Sequence, residues 1–377
     1  MARAITADTG FKLGTFSSNC SSGMAITKAP NRWSASWADN LRLAKTADAV
    51  GLDFMLPIAR FIGYGGDTNF HESVLDPVAW AAGLLSATEN ITVFSTVHSA
   101  FNHPLVVAKQ LATVDHIGNG RAGINIVAGW NKPEYDAMGS DLPAGHDDRY
   151  AQAQEWWDII RRVWTQPGTF DHDGRFYRLK GAEGLPKPVD GVLPVLNAGS
   201  SAQGRGFAAR NADYGFTVAD GPEDGAKIVE SMQSQALAEF ERQLGVFTMA
   251  HIVVRETEKE ARDFYRWYAD DNADWDAVDN IMYLMGAHAQ SFTPDMLQTY
   301  RSRFAAGHGS IPMVGTPDQV AELIAGIANA GFAGMTLAFF DYAEELPYFG
   351  ETVLPRLEEM GVRAPRERAT RLAGAGV

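Results

Sequence analysis

Eight short apolar segments recur along the chain, and each is followed by a stretch long enough for at least one helix. Their residues are mostly apolar, β-branched or aromatic, which is typical of parallel strands buried on both faces. The intervening stretches, such as WADNLRLAKTADAVG and PDQVAELIAGIANAG, have apolar residues at helical spacing. The predicted strands begin at Phe11, Asp53, Ile91, Ala122, Leu193, Tyr214, Val246 and Gly334. Eight strand–helix units predict an α/β fold, the TIM (β/α)8 barrel.

A doubly wound open sheet is the alternative architecture for alternating strands and helices. Such a sheet, when it binds a dinucleotide, has a glycine-rich turn of the form G-x-G-x-x-G after its first strand. The turn after the first strand here reads SSNCSSGMA and lacks that pattern. The sequence therefore favours the barrel.

Four segments are longer than a strand–helix unit requires, and we expect them to be insertions in a single barrel domain spanning 1–377. They are 61–77, 130–148, 165–192 and 270–312. In the third, Asp173-Gly174 lies between two β-like runs and predicts a small hairpin. The fourth has no strand pattern. Because loops that follow barrel strands lie at the C-terminal mouth, we expect these insertions beside the site of chemistry.

Charge and cysteine content exclude several classes of protein. The 46 acidic and 32 basic residues give a net charge of −14, which argues against nucleic acid and anionic membranes as partners. The single cysteine, Cys20, permits no internal disulfide and fits a reducing compartment. The start MARAITADTGFKLG does not resemble a signal peptide, and no run of about 18 apolar residues could span a membrane. We therefore expect a soluble cytoplasmic protein.

The C-terminal ends of the predicted strands carry few groups that could perform chemistry by themselves. These positions are Leu56, Ile58, Ala59, Arg60, Thr96, His98, Asn125 and Asn197. They include no paired carboxylates, no G-x-S-x-G nucleophile motif and no Cys–His pair. His98, His103 and His116 do not have the spacing of zinc ligands, so no metal is expected. Such a mouth indicates that a bound cofactor supplies the chemistry.

The turn after the fifth predicted strand is the best local indication of a ligand. Gly199, Ser200 and Ser201 open a helix, where backbone N–H groups and the helix dipole attract an anion such as a phosphate. Arg149 and Tyr150 begin another helix and could bring a guanidinium and a hydroxyl to the same anion. An ordinary serine N-cap, and a solvated arginine beside a core tyrosine, are the alternative interpretations.

Four longer strings resemble one enzyme superfamily. They are GYGGDTNFHES from Gly63, KQLATVDHIGNGRAGINIVAGWNKPEYDAMG from Lys109, HDDRYAQAQEWWDIIRRVW from His146 and NAGSSAQGRGFAAR from Asn197. Together they resemble the bacterial luciferase-like flavin-dependent monooxygenases, and most of all the pyrimidine monooxygenase and dimethyl sulfone monooxygenase branches. The resemblance is close over about residues 11–205 and implies a TIM barrel, in agreement with the strand count.

The resemblance also implies a cofactor and the residues that contact it. Members of the superfamily bind reduced FMN (FMNH2), which a separate NAD(P)H:flavin reductase supplies, and use it to activate O2. The flavin contacts of the pyrimidine branch match Ala59, Arg60, Asn125, Glu134, Arg149, Tyr150 and Ser201 of this chain. The last three are also the candidates for a phosphate site on local grounds. Position 60 departs from that branch, which has lysine there.

An oxygen pocket beside the flavin is a further implication of the resemblance. Its positions match Thr96, Asn125, Leu56 and Ile58. Because O2 is apolar and a developing peroxide needs a few fixed hydrogen-bond donors, a dry pocket with two polar side chains suits that chemistry. His98, Phe101 and Asn102 would then line the substrate side. For His98, a packed histidine without a chemical role is the alternative.

The function implied is that of a two-component, FMNH2-dependent monooxygenase. It would form a flavin (hydro)peroxide and cleave a C–N or C–S bond of a small polar substrate, of the pyrimidine or cyclic amide type or of the sulfone type. A deazaflavin-dependent oxidoreductase of the same superfamily and a non-catalytic flavin-binding protein are the alternatives. The family suggests a homodimer or homotetramer, and segment 270–312 is either a lid over the flavin or an oligomer contact.

Overall fold

A computed structural model describes residues 5–143, 146–285 and 294–365 of the chain. The expected insertions 130–148 and 270–312 therefore lie partly outside the described residues. The strands, in chain order, are β1 (Lys12–Phe16), β2 (Phe54–Leu56), β3 (Thr92–His98), β4 (Ala122–Val127), β5 (Phe170–Asp173), β6 (Arg178–Ala182), β7 (Val195–Asn197), β8 (Tyr214–Phe216), β9 (Gly245–Val254), β10 (Ile311–Gly315) and β11 (Gly334–Ala338).

Eight parallel strands close into a barrel. They are hydrogen-bonded in the order β1-β2-β3-β4-β7-β8-β9-β11, and β11 returns to β1 to complete the ring. These are the eight strands predicted from the sequence, so the prediction of an α/β TIM barrel is confirmed. The register places Thr96 of β3 directly opposite Asn125 of β4.

One strand was not predicted. β10 pairs in parallel with the C-terminal part of β9, where Ile311 lies opposite Ala250 and Gly315 opposite Val254. It ends the segment 270–312, for which the sequence indicated no strand, so that expectation was wrong. The strand is only five residues long and contains the exposed Pro312, which is tolerated because β10 lies at the edge of the sheet.

Helices alternate with the barrel strands and begin at capping residues that the sequence supplies. Ser36 accepts a hydrogen bond from the N–H of Asp39, and Thr316 forms a capping box with Gln319. None of the described helices is long and apolar enough to cross a membrane. The helices are α1 (Trp37–Val50), α2 (Pro77–Leu85), α3 (Pro104–Ile117), α4 (Lys132–Ala137), α5 (His146–Thr165), α6 (Ala202–Asn211), α7 (Pro222–Phe240), α8 (Glu258–Arg266), a π-helical turn (Trp267–Asp271), α9 (Trp275–Leu284), α10 (Pro294–Gly307), α11 (Pro317–Asn329) and α12 (Tyr342–Glu359).

Aromatic rings fill the N-terminal half of the barrel interior. Phe54 stacks on Phe247 with 5.2 Å between ring centroids and meets Phe94 edge-on at 6.0 Å. A glycine in a neighbouring strand makes room for each ring, since a Cβ on Gly14 would lie 2.5 Å from Phe54 and one on Gly123 would lie 2.6 Å from Phe94. Because side chains alternate along a strand, the polar residues two positions further along β3 and β4 face the same interior, nearer the mouth.

The predicted hairpin is present in the insertion after α5. β5 and β6 pair antiparallel, with Asp173 opposite Arg178, and the N–H of Gly174 donates to the carbonyl oxygen of Tyr177 across the turn. Glu155 of α5 accepts hydrogen bonds from the N–H groups of Phe176 and Tyr177 at 3.0 and 2.9 Å. The hairpin is therefore tied to the helix that carries Arg149 and Tyr150.

The described parts of insertions 61–77 and 270–312 pack against each other beside the barrel. Tyr64 and Phe70 share one apolar cluster with residues of α9 and α10. Asp274 ties the two insertions together, because its carboxylate accepts from the N–H and the hydroxyl of Thr68, both at 2.7 Å. Asn280 adds a bond from its side-chain nitrogen to the carbonyl oxygen of Tyr64 at 2.7 Å. This packed layer borders the mouth next to the end of β2.

Candidate active site

Thr96 and Asn125 are joined by a hydrogen bond at the mouth of the barrel. The side-chain nitrogen of Asn125 donates to the hydroxyl of Thr96 at 3.1 Å, and that hydroxyl donates to the carbonyl oxygen of Pro57 at 2.6 Å. The other polar atom of Asn125, Oδ1, is buried and has no hydrogen-bond partner among the described residues. Because an unpaired buried acceptor is unfavourable, this atom marks a place where a ligand can supply a donor.

The end of β2 is held in place by an asparagine that sequence reasoning missed. Asn19, fully buried after β1, accepts from the N–H of Ile58 at 2.9 Å and donates to the carbonyl oxygens of Ile58 at 2.8 Å and Leu75 at 2.9 Å. Leu56 and Ala59 beside it are buried. These hydrogen bonds fix the backbone that carries Leu56 and Ile58, the apolar residues of the predicted oxygen pocket. A single asparagine in a loop carries no sequence signal for this role.

Arg60 and Glu134, both predicted to contact the cofactor, form a buried ion pair with each other. Their side chains are 6% and 3% exposed, and Nη1 of Arg60 lies 3.0 Å from Oε1 of Glu134. Glu134 also accepts from the N–H of Phe61 at 2.9 Å. The guanidinium lies over the rings of Tyr64 and Trp130, at 4.8 and 5.4 Å. The charge of Arg60 is therefore balanced inside the chain, and Glu134 ties the loop after β4 to the end of β2.

Tyr150 and Ser201 come together at the start of α6, as the local sequence suggested. The hydroxyl of Tyr150 packs against the turn so closely that a Cβ on Gly204 would lie 2.6 Å from it. Ser201 is the N-cap of α6 and accepts from the N–H of Gly204 at 3.1 Å. The capping interpretation of Ser201 is thus correct, and the helix start also carries the hydroxyl and dipole that suit an anion.

Arg149, which precedes Tyr150 in α5, is bonded to the loop after β4. Its Nη1 donates to the carbonyl oxygen of Gly129 at 3.0 Å, and the residue is buried. Its Nε has no hydrogen-bond partner in the part of the chain that the structure describes. The alternative of a solvated arginine is wrong, because Arg149 is buried. A buried guanidinium N–H needs an acceptor.

His98 is buried at the end of β3. Its ring meets Phe101 edge-on with 5.3 Å between centroids, and its carbonyl oxygen accepts from the side chain of Asn102 at 2.9 Å. Burial, together with the nearby charge of Arg60, lowers the pKa of His98 to about 3. The imidazole is therefore neutral near pH 7, so it has hydrogen bonds to offer but no positive charge.

A further cluster of polar groups beside Arg60 was not predicted. Tyr64, His71 and His308 lie with their ring centroids 6.0 to 6.4 Å apart. The hydroxyl of Tyr64 and the Nδ1 atoms of both histidines have no hydrogen-bond partner within 5–143, 146–285 and 294–365. The two histidines are more than two hundred positions apart and stand in turns without periodicity, so no sequence pattern joins them. No group of His, Cys, Asp or Glu in the same ranges could hold a metal ion.

Comparison with known proteins places the chain in a family. The family model described as luciferase-like monooxygenase matches residues 11–334. An FMNH2-dependent dimethylsulfone monooxygenase of Pseudomonas fluorescens is 31% identical over 366 residues, covering 94% of this chain and 96% of the relative. A pyrimidine monooxygenase, RutA of Acinetobacter baylyi, is 28% identical over 352 residues, covering 91% and 94%.

A solved structure shares the fold. A riboflavin lyase crystallised with modified FMN and riboflavin superposes with a TM-score of 0.83 at 23% identity, over 94% of this chain and 93% of that chain. At this identity the likeness extends to the fold alone. The family match and the relative above 30% identity settle the classification: the protein belongs to the luciferase-like family of flavin-dependent monooxygenases.

Proposed function

We propose that this protein is the oxygenating component of a two-component monooxygenase that uses FMNH2 and O2. The observation that carries the proposal is a set of buried polar atoms without partners among the described residues, Oδ1 of Asn125 and Nε of Arg149, at the mouth of the barrel. Buried polar atoms are rarely left unpaired, so these two point to a polar ligand. The family supplies its identity, FMN in reduced form.

The residues at the helix start fit the phosphate end of FMN. Arg149 brings a buried guanidinium with an unpaired N–H among the described residues, Tyr150 a hydroxyl, and Ser201 the N-terminus of α6. Asn125 and Ala59 would hold the ring end, together with the paired side chains of Arg60 and Glu134. The loop after β4 connects the two sets of residues, because Arg149 donates to Gly129 and Glu134 belongs to the same loop.

In the proposed oxygen pocket, the polar residues hold the oxygen species in position and protect it. They do not exchange protons with it. Reduced FMN, when bound, supplies the two electrons that activate O2. Asn125 and Thr96 are fixed by each other and by the carbonyl of Pro57, so their hydrogen-bonding groups are already oriented. Leu56 and Ile58 exclude water from the same place. One atom of O2 enters the product and the other leaves as water.

The type of substrate is also a proposal, and it is taken from the relatives. Relatives named for a sulfone and for pyrimidines support a small polar substrate that loses a C–N or C–S bond. We further propose an NAD(P)H:flavin reductase as partner, a homodimer or homotetramer, and a single barrel domain. The single, buried cysteine supports a cytoplasmic location. For the described residues of 270–312 we propose one of two roles, a cover over the flavin or an oligomer contact.

The direct test is isotope labelling in single turnovers. The protein is loaded with FMNH2 without oxygen and mixed with ¹⁸O2 and one compound of a panel of pyrimidines, cyclic amides, sulfones and sulfonates. Mass spectrometry should find one ¹⁸O atom in a product of one class. Unlabelled product from every compound, or the absence of product, contradicts the proposal. Reduced deazaflavin is tested in parallel. Turnover with reduced deazaflavin instead of FMNH2 would favour the alternative of a deazaflavin-dependent oxidoreductase.

A further inference from the structure

Beside Arg60, the cluster of Tyr64, His71 and His308 has the composition of a recognition site. Tyr64 and His71 are each 1% exposed, whereas His308 is partly exposed, so His308 is the ring of this cluster that solvent reaches. Phe70 stacks on His71 with 3.8 Å between ring centroids. The site is therefore built from flat rings, which suit a flat ligand.

His71 provides a hydrogen-bond acceptor. Its Nε2 lies 2.6 Å from the carbonyl oxygen of Gly23 and must carry the ring proton, because a carbonyl can only accept. Burial lowers the pKa of His71, so the ring is neutral and Nδ1 keeps its lone pair. That atom is buried and unpaired in the described part of the chain. It can be satisfied only by a donor, an N–H or O–H of the ligand or of a water molecule.

Two donors belong to the same cluster as this acceptor, since the rings of Tyr64 and His71 lie 6.0 Å apart between centroids. The hydroxyl of Tyr64 is buried without a partner among the residues described, and so is Nε of Arg60, whose guanidinium lies 4.8 Å from the centre of the Tyr64 ring. Both groups can donate to a carbonyl oxygen. The cluster thus combines donors and an acceptor, which is the pattern that a cis-amide edge, with its N–H beside its C=O, would satisfy.

The backbone at both histidines supports a role in recognition. His71 has φ 62° and His308 has φ 54°, the left-handed region that residues with a Cβ adopt rarely. The turns around them contain Gly65, Gly66 and Gly309, which adopt positive φ without that penalty. Strained backbone of this kind concentrates where a side chain must be held in a particular place.

We propose that Arg60, Tyr64, His71 and His308 recognise the substrate, and that the substrate is a planar cyclic amide with an N–H beside a C=O. The inference rests on the proposed function, and it chooses between the two substrate types that the relatives suggest. A sulfone has two acceptor oxygens and no donor, so it would leave Nδ1 of His71 unpaired. Sites built to hydrogen-bond a group discriminate strongly against analogues that lack it.

The test measures equilibrium binding, by calorimetry, to the full-length protein loaded with oxidised FMN, so that no turnover is needed. The probes are uracil, 1,3-dimethyluracil and dimethyl sulfone. Uracil should bind at least about tenfold more tightly than either of the others, since each lacks the N–H donor. Equal or tighter binding of dimethyluracil or dimethyl sulfone overturns the proposal.

Variants separate hydrogen bonding from the bulk of the added methyl groups. Tyr64→Phe removes a hydroxyl that has no partner among the described residues, so the fold should be kept while uracil binding weakens about fivefold to tenfold. His71→Phe should reduce the preference for uracil over dimethyluracil to near unity. Tyr265→Phe, in a separate cluster around His251, is the matched control and should bind uracil as the unmodified protein does.

Failure of this inference can be told apart from failure of the proposed function. Uracil binding that is unchanged in Tyr64→Phe, with FMN bound normally, overturns the recognition role alone. Label from ¹⁸O2 that enters a sulfone and no cyclic amide also overturns it and leaves the monooxygenase intact. Absence of FMN binding overturns both.

Discussion

The two ends of the barrel differ in how their buried polar groups are satisfied. At the N-terminal end, Asp53 is fully buried, accepts from the N–H of Leu13 at 2.9 Å, and lies 3.4 Å from Arg363 and 3.9 Å from Lys12. At the C-terminal mouth, Asn125, Arg149, Tyr64 and His71 each keep a buried polar atom without a partner in the described residues.

The difference separates stability from function within one fold. Charges at the N-terminal end are balanced inside the chain, so removing one leaves a buried charge of opposite sign without part of its compensation. Polar groups at the mouth have capacity left over, which a cofactor and a substrate can fill. Substitutions at the N-terminal end should therefore lower stability, whereas substitutions at the mouth should lower activity.

The largest effect is expected at the N-terminal end. Asp53→Ala should lower the free energy of unfolding by about 3–5 kcal/mol, because it removes the buried carboxylate that accepts from the N–H of Leu13 and lies 3.4 Å from the guanidinium of Arg363. Urea unfolding followed by circular dichroism measures this. Protein that remains folded should still bind FMN with unchanged affinity. A loss below about 1 kcal/mol would mean that the two ends do not differ in this way.

The corresponding change at the mouth is Asn125→Ala. Turnover should fall about hundredfold or more if Asn125 stabilises charge that develops during oxygen activation. The free energy of unfolding should fall by only about 1 kcal/mol, since one hydrogen bond to Thr96 is lost. Thr96→Val should show the same pattern with a smaller loss of turnover.

A second asparagine provides the matched control. Asn40 in α1 is fully buried, and both its side-chain atoms are paired, Nδ2 with the carbonyl oxygen of Ser36 and Oδ1 with the indole N–H of Trp80. Asn40→Ala should destabilise the protein by about 1–3 kcal/mol and leave turnover of the folded enzyme unchanged. If Asn125→Ala resembles it, Asn125 is structural.

Neutral buried histidines at the mouth predict a fall of stability in mild acid. Burial and Arg60 lower the pKa of His98 and of His308 to about 3. Below pH 6.5 these groups take up protons in the unfolded chain but not in the folded one, so stability is full above pH 6.5 and declines towards pH 3. Each contributes at most about 1.4 kcal/mol per pH unit. Urea unfolding at pH 7.5 and 5.0 should show the decline, and His98→Phe should reduce it.

The barrel could be predicted from sequence because strands buried on both faces are apolar nearly throughout. The approach of Tyr150 to the turn before α6 was also predictable, since Gly199 to Ser201 and the pair of Arg149 and Tyr150 are each local in sequence. That this turn binds a phosphate stays a prediction. β10 was missed, because a five-residue edge strand containing proline resembles a loop.

The cluster that we propose for substrate recognition could not be predicted from the sequence, for a physical reason. Its groups come from segments far apart in the chain, and only packing between the insertions brings His71 to His308. The tertiary structure likewise determines which residue forms an ion pair with Arg60. Sequence placed Arg60 and Glu134 in one site but did not indicate that each neutralises the other.

The smallest effects are expected from two glycines of α6. A Cβ on Gly204 would lie 2.6 Å from the hydroxyl of Tyr150, whereas the nearest atom to a Cβ on Gly206 is 3.9 Å away. Gly204→Ala should displace Tyr150 and weaken FMN binding several-fold. Gly206→Ala should leave FMN affinity unchanged and stabilise the helix by about 0.5–1 kcal/mol. Flavin fluorescence titration and thermal unfolding measure the two outcomes. Equal FMN affinities of the two variants would mean that Tyr150 does not contribute to phosphate binding.

The central claim, that the mouth of the barrel holds FMN, is tested most directly by a crystal structure of the complex. We expect the phosphate at the start of α6, within hydrogen-bonding distance of Ser201 and Arg149, and the flavin ring beside Asn125. The N-terminal end offers a competing location, a cavity of about 640 Å³ lined by Ile5, Tyr214 and Phe332, among others. FMN bound in that cavity, with the mouth unliganded, would contradict the account.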